Sequence, residues 1–298
     1  MRSVLDFGSL NYDFVYQVPH MVRPGETLSS TGMEVFCGGK GLNQAIALRK
    51  AGGNVYLAGA VGEDGEDILN YCRGFGLNVD QVRRVPGKTG HAMIQIDGEA
   101  QNSILIFGGA NRSHTLSDIA AALEPYGPED ILLLQNEVNH VDALVEEAWK
   151  RGMKIVLNPS PWDEGLKAVN LSRISVFLVN ETEGAGITGC TDPQEILAAM
   201  GEMFPGAEVV LTLGADGCYY QKEGRRVYQK AILTKAVDTT AAGDTFAGYY
   251  IAGMLRGNSI EERLLRCAVA SSIAVSREGA AASIPMEEEV DRAVAGLK

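Results

Sequence analysis

The chain has 298 residues, 46% of them hydrophobic, which is enough to bury the core of one large α/β domain or two smaller ones and too many for disorder. Thirty-eight acidic residues against 26 basic leave a net charge of −12 with no basic run to offset it, so neither a nucleic-acid backbone nor a membrane surface is expected as a partner. Cys37, Cys72, Cys190, Cys218 and Cys267 form no C-x-x-C pair and the four histidines show no H-x-x-x-H spacing, which points away from disulfides and zinc and toward a reduced, cytoplasmic protein.

The chain enters a strand at once, over 3–9, without a signal-peptide apolar region or a membrane-length apolar run. Gly8-Ser9 ends this strand and Asn11-Tyr12-Asp13 follows. In extended backbone Asn11 and Asp13 share a side, where two polar groups serve either to grip hydroxyls or as a solvated turn. Residues 27–36 read as a strand running into Cys37-Gly38-Gly39-Lys40-Gly41-Leu42-Asn43, which opens a helix that continues to Gly52. This turn fails the G-x-x-x-x-G-K-[ST] phosphate-loop pattern, because Glu34 and Gly41 stand at its first and last positions. What survives is a backbone-exposing helix start, with Asn43 one turn on from Gly39; a plain tight turn needing positive φ reads the same way.

A strand over 54–61 and a helix over 64–75 come next. Segments 79–85, 90–97 and 101–107 then follow one another without helices, the last two joined by the hairpin signal Asp97-Gly98-Glu99. Together with 27–36 they read as a separate small sheet, a lid over a cleft.

After Gly108-Gly109-Ala110-Asn111 the sequence predicts a helix at 115–123, a strand at 131–135, a helix at 139–151 and strands at 154–157 and 174–179. Such alternation implies a parallel sheet covered on both faces, with ligands beyond the carboxyl ends of the strands. Glu137, Asn158, Asn180 and Glu183 lie there. Gly184-Ala185-Gly186-Ile187-Thr188-Gly189 matches the G-x-G-x-x-G dinucleotide fingerprint, but four polar residues separate it from the strand and no long helix is expected after it. An NAD-dependent dehydrogenase would rest on that motif alone. The strand over 208–213 turns through Gly214-Ala215-Asp216-Gly217 into another at 217–222, which leaves Thr212 and Gly214 at a strand end.

The stretch from Ala236 to Phe246 is a loop of small residues feeding an apolar helix, Thr245 to Leu255, with Asp244 at the junction. Asp244 fits an N-cap. It equally fits a general base set beside first-turn N–H groups that hold an anion. Helices over 259–277 and from Met286 close the chain.

Gly-Ser-x-Asn-x-Asp from Gly8, Pro-Gly-Glu-Thr from Pro24, Gly-Gly-Lys-Gly-x-Asn-Gln-Ala from Gly38, Asn-Glu-Thr-Glu from Asn180 and Asp-Thr-Thr-Ala-Ala-Gly-Asp-Thr-Phe from Asp238 recur in order. In this order and spacing the chain resembles, over essentially its whole length, the ribokinase-like (PfkB) carbohydrate kinases. The resemblance implies a three-layer α/β/α sandwich with a mostly parallel central sheet and a small β-sheet lid. It further implies one domain over residues 1–298, with the lid drawn from about 11–37 and 84–109, and transfer of the γ-phosphate of ATP to a sugar hydroxyl. Ribose is the expected acceptor, with another pentose, a ketohexose or a nucleoside as the alternative.

Position by position, the resemblance implies Asp244 as catalytic base and the N–H groups of Ala241, Ala242 and Gly243 as an anion hole. It gives Asn11, Asp13, Gly39, Asn43 and Glu137 the sugar, with Lys40 in the same loop. Asn180 and Glu183 would organise magnesium and phosphate through water, and Thr212 and Gly214 would belong to the nucleotide loop. A monovalent cation such as potassium is implied near Asp238, Thr240, Ala274, Arg277, Gly279 and Ser283; a plain surface pair between Arg277 and Asp238 is the alternative, set lower because the whole C-terminal pattern matches. Ala92 and Ile106 match lid positions that touch ribose. His91 stands where an apolar residue is common, and Ala268 stands where a polar residue near adenine is frequent, implying adenine held by apolar packing. A non-catalytic sugar-binding protein is the remaining reading, countered by Asp244 beside an intact Ala-Ala-Gly. A lid with one apolar face needs a cover, so a homodimer joined through two lids is expected.

Overall fold

The computed structural model describes residues 2–99 and 101–297; Met1, Ala100 and Lys298 lie outside the description. The chain opens on β1 (Val4–Phe7), all four residues of which are buried. Successive side chains of a strand face opposite sides, so Val4 enters one core while Leu5 and Phe7 enter another. Next come β2 (Asn11–Gln17), β3 (Gly32–Gly38) and α1 (Lys40–Lys50). Then β4 (Val55–Val61), α2 (Glu66–Gly74) and β5 (Asn78–Arg84) form a βαβ unit, followed by the antiparallel pair β6 (Gly90–Ile96) and β7 (Asn102–Phe107).

Alternation resumes with α3 (Leu116–Leu123), β8 (Ile131–Gln135), α4 (Val141–Lys150), β9 (Lys154–Asn158) and β10 (Val176–Asn180). It continues through α5 (Glu181–Thr188), α6 (Pro193–Met203), β11 (Glu208–Thr212), β12 (Cys218–Lys222) and β13 (Arg225–Gln229). Helices α7 (Ala242–Arg256), α8 (Ile260–Val275) and α9 (Glu287–Ala295) complete the chain.

The central sheet has nine strands in the order β13-β12-β11-β10-β9-β8-β1-β4-β5; every pairing is parallel except β11 with β12 and β12 with β13 at one edge, where β12 alone runs against the rest. Helices α1, α2, α7, α8 and α9 pack on one face and α3, α4 and α6 on the other, each layer sealing its own apolar core. With both faces covered, the central strands need no polar side, and Ile131 to Leu134 are buried in succession. The lid is a four-stranded sheet in the order β3-β2-β6-β7.

Residues 79–85, expected in the lid, are instead β5 at the edge of the central sheet. Helix α2 supplies the crossover that parallel pairing with β4 requires, and Val79 and Val82 are buried by it. The lid takes β2 in that place. The stretch after Asn180, read without helices, holds α5 and α6, whose first turns are capped by the side chains of Asn180 and Asp192. Gly184 and Gly186 therefore lie inside a helix and form no strand-to-helix loop, although, contrary to expectation, a helix of eleven residues does follow Gly189. Strand β13, polar and partly exposed, carries no alternation that would have announced it.

Candidate active site

Two helix starts converge at the carboxyl ends of the central strands. Helix α1 begins after Gly39, whose φ of 96° is open only to glycine in practice and whose backbone passes close to Ser9. Helix α7 crosses α1 so closely that a Cβ at Gly248 would collide with Ala47. This crossing brings Asp244 under α1. Asn43 Nδ2 donates to Asp244 Oδ2 at 3.3 Å, and Gln44 Nε2 donates to Asp244 Oδ1 at 2.9 Å.

Asp244 is not the N-cap of this helix. Ala241 occupies that position in the left-handed region, φ 58°, and Asp244 sits in the first turn, only 6% exposed. A non-glycine residue held there is strained and persists only where its surroundings enforce it; here the Thr245 N–H and hydroxyl both donate to the Ala241 carbonyl at 2.8 Å. Of the three expected anion-hole donors, the Ala242 N–H already makes a long turn bond, 3.3 Å, to the Thr239 carbonyl. Gly243 lies in the first turn, where N–H groups have no intrahelical acceptor and the helix end carries partial positive charge. The Lys40 side chain faces the same space. Burial alone would lower its ammonium, but the carboxylates of Asp244, Glu137 and Glu183 outweigh that and hold it above its ordinary value.

On the lid side, Glu137 Oε2 accepts the Ser9 hydroxyl and, at 3.2 Å, the Lys40 N–H, so it is latched to the start of α1. Asn11 is buried and its Oδ1 accepts from Asn111 Nδ2 at 2.7 Å; Asn111 is itself fixed by the Leu10 N–H at 3.1 Å. Asp13 shares a lid row with Phe36 and Ala92, and Ala92 pairs with Ile106. Burial first, then the nearby charges of Glu137 and Asp244, push the Asp13 carboxyl up to about 7. The next row holds Tyr12, His91 and Phe107 and points the other way. His91 is packed between Phe14 and Phe107, ring centroids 5.6 and 5.0 Å away, so it belongs to the outer face of the lid.

Asn180 and Glu183 form a reciprocal capping box at the start of α5. Asn180 Oδ1 accepts the Glu183 N–H at 2.9 Å, while Glu183 Oε2 accepts the Asn180 N–H at 3.0 Å and Oε1 accepts Asn180 Nδ2 at 3.1 Å. Both residues line a cavity of about 250 Å³ together with Lys40, Asn158, Thr212 and residues 241–244. A second, mostly apolar cavity of about 330 Å³ is lined by Gly214, Ile232, Leu233, Ala268 and Val275, among others. The two share Thr212, Thr239, Ala242, Gly243 and Phe246, so they form one cleft across the start of α7. A wider depression of about 700 Å³ lies at the opposite, amino ends of β9 to β11 and contains none of the candidate residues.

Asp238 ties two loops together: its Oδ1 accepts the Thr240 N–H at 2.8 Å and its Oδ2 accepts the Gly279 N–H at 3.0 Å. The alternative surface pair does not form, because Arg277 turns to Glu289 at 2.5 Å. The Arg277 N–H bonds the Ala274 carbonyl at 3.1 Å, and buried Ser283 donates its hydroxyl to the Ala280 carbonyl at 2.8 Å.

The model of the pfkB family of carbohydrate kinases matches residues 1–287. The chain belongs to that family. A ribokinase from Haemophilus influenzae is 34% identical over 299 residues, 97% of each chain. A crystal structure of ribokinase from Cryptococcus neoformans in complex with ADP superposes with a TM-score of 0.85 at 33% identity, covering 98% of this chain and 100% of that one. The structure of Arabidopsis thaliana ribokinase complexed with ribose and ATP gives 0.84 at 30%, covering 98% and 97%. The fold is that of the ribokinases, and the chain is a phosphotransferase of the pfkB family.

In this carbohydrate kinase the structure also brings in residues that the sequence did not announce. Gln44 holds the carboxylate of Asp244, Asn111 orients Asn11, and Ser9 bonds Glu137. Each is a neutral side chain beside a motif residue. Gln44 directly follows Asn43, and Asn111 ends the Gly108-Gly109-Ala110-Asn111 stretch, so position in a motif was the one signal available.

Proposed function

We propose that the chain transfers the γ-phosphoryl group of ATP to the 5-hydroxyl of D-ribose. One observation carries this reading: Asp244 stands between the polar row of Asn11 and Asp13 and the apolar cleft beyond Gly243, at the point where a sugar hydroxyl and a terminal phosphate would meet. The Arabidopsis relative complexed with ribose and ATP supports the choice of both substrates. In the reaction Asp244 accepts the proton of the hydroxyl as its oxygen attacks phosphorus, the bond from phosphorus to the bridging oxygen breaks, and ADP leaves. The amides of 241–243, with Ala242 giving up its long bond to Thr239, and the Lys40 ammonium offset charge on the transferred group. Thr212, Gly214 and the apolar wall around Ala268 take the base and sugar of the nucleotide, while Gly39, Asn43 and Glu137 help to position ribose.

Both oxygens of Glu183 are engaged by the start of α5, so Asn180 and Glu183 fit magnesium through water rather than by direct ligation. Among the described residues no group of three His, Cys, Asp or Glu side chains gathers around a metal position. Carbonyl oxygens near Thr240, Ala274, Arg277 and Gly279, with Asp238 and Ser283, are a hard donor set that suits potassium. When bound, magnesium supplies neutralisation of phosphate charge. All five cysteines are free thiols, in keeping with a cytoplasmic setting, and no described helix is long and apolar enough to cross a membrane. The main body and lid act as one unit, and two lids join in a homodimer.

A substrate panel followed by ADP release tests the reading. D-ribose should give the highest kcat/KM among ribose, 2-deoxyribose, other pentoses, ketohexoses and nucleosides, with the product identified as a 5-phosphate by phosphorus NMR. A nucleoside or ketohexose that outperforms ribose would overturn the acceptor assignment.

A further inference from the structure

Asp6 is an acid in a row of hydrocarbons. It pairs laterally with Leu57 of β4 and Leu133 of β8 and is completely buried. Its Oδ1 accepts from Gln135 Nε2 at 3.0 Å, and its Oδ2 has no partner among the described residues. The other Gln135 N–H goes to Gln44 Oε1 at 2.9 Å. Gln44, its carbonyl occupied, turns its own amide to Asp244 Oδ1 at 2.9 Å and Asn158 Oδ1 at 3.0 Å. Asp6 Oδ1 at one end, and Asp244 Oδ1 and Asn158 Oδ1 at the other, therefore agree on the direction of every donor in this buried series.

We propose that Asp6 is a positioning residue for Asp244, fixing through Gln135 and Gln44 which way round the amide beside the catalytic base is presented. This rests on the reading of Asp244 as the base for phosphoryl transfer. Reversing Gln135 would aim its carbonyl at two acceptor oxygens, Asp6 Oδ1 and Gln44 Oε1. Reversing Gln44 would set an oxygen against Asp244 Oδ1. An unpaired buried charge is costly, and burial raises the Asp6 carboxyl well above its ordinary value; the oxygen that orders the series is Oδ1, to which Gln135 donates.

The arrangement matters most after Asp244 has taken the hydroxyl proton. A neutral Asp244 no longer compels Gln44 to donate, which leaves Asn158, whose own amide donates to the Leu178 carbonyl, and Gln135 to hold its direction; a reversed Gln44 would accept that proton in a hydrogen bond and hold it. With Asp6 and Gln135 in place Gln44 stays a donor in both states. The proton is left on Oδ2, free to depart before the next turnover.

The test compares Asp6→Val, Asp6→Asn and Gln135→Met in the full-length enzyme. Asp6→Val should lower kcat by roughly tenfold and leave the KM values for ribose and ATP within about twofold. Asp6→Asn keeps an acceptor oxygen and should restore kcat to within about twofold of the parent. The double variant Asp6→Val/Gln135→Met should be no slower than the worse single variant, because both break one series. A second readout needs no turnover: the Gln44 side-chain amide protons should be protected from exchange with solvent and shifted from their random-coil positions in the parent and in Asp6→Asn, and should lose both the protection and the shift in Asp6→Val. A folded Asp6→Val enzyme with unchanged kcat overturns the proposal, as does a kcat loss that Asp6→Asn shares or one unaccompanied by the amide change. If Asp6→Val does not fold, Gln135→Met decides on the same two criteria. A parent enzyme that phosphorylates no sugar refutes the reaction, and the amide signals then decide the positioning alone.

Discussion

Gln44 and Asp244 are 200 residues apart in the chain and 2.9 Å apart in space, and the amide of the first holds one oxygen of the second. A hydrogen bond to a charged group contributes about 1.5–3 kcal/mol, which corresponds to roughly ten- to a hundredfold in rate if it is realised in the transition state. Gln44→Leu should therefore lower kcat by that factor while the KM for ATP stays close to the parent value. Steady-state assays of ADP release at saturating ribose check this, and a kcat within twofold of the parent would dissociate Gln44 from the chemistry.

Asp244→Asn keeps the shape of the side chain and removes its basicity. Circular dichroism and ATP binding by calorimetry should match the parent, while turnover falls by at least 10²–10⁴-fold, the range for loss of a general base. Near-normal turnover would sink the assignment.

Asp13 makes stability and binding pull in opposite directions. Its carboxyl ionises near 3.8 in the unfolded chain and near 7 in the folded one. Between those values the folded state binds more protons, so stability falls as pH rises through that window and levels off above it. Asp13→Asn should raise Tm at pH 8 and leave it unchanged at pH 4. An ionised Asp13 accepts sugar hydroxyls more strongly, so the KM for ribose in the parent should rise as pH falls from 8 to 6. A Tm difference that is the same at both pH values would refute the burial argument.

The junction made by Asp238 predicts an ion dependence. Replacing potassium by sodium should depress kcat in the parent, and Asp238→Ala, which releases the N–H groups of Thr240 and Gly279, should raise the potassium concentration needed for half-maximal rate. Activity measured over a potassium titration at constant ionic strength decides; indifference to the ion would count against this site.

The outer face of the lid carries Val35, Met93, Leu105 and Phe107, of which Leu105 is 69% exposed. A contiguous apolar patch of this kind marks a contact surface. The parent should sediment as a dimer at micromolar concentration and Leu105→Asp as a monomer. A monomeric parent would end the proposal of lid pairing.

The parallel core was legible because strands buried on both faces must be apolar along their length, as Ile131 to Leu134 are. The position of β5 was not, since two valines, Val79 and Val82, suit a half-covered lid strand as well as a sheet edge, and only the helix before them decides. Asp244 and Asn43 could be named from motifs that span the chain, and Glu137 from its place just beyond the end of β8. Asp6 could not: in sequence it is one polar residue in an apolar strand, and its meaning depends on Gln135, which pairing of β1 with β8 brings beside it. The same applies to Asn180 and Glu183, where one spacing satisfies both a helix cap and a phosphate site.

Strand β1 lies between β4 and β8, and the start of α1 meets the start of α7. On a ribosome adding about 5–20 residues per second, roughly ten to forty seconds pass between the emergence of Gln44 and that of Asp244. Once Gln135 has also emerged, the polar floor of the site, Asn43, Gln44 and Gln135, lacks both the residue it surrounds and the cover of α7. A chain that stops short of α7 thus carries every strand of both sheets but lacks Asp244, the proposed base.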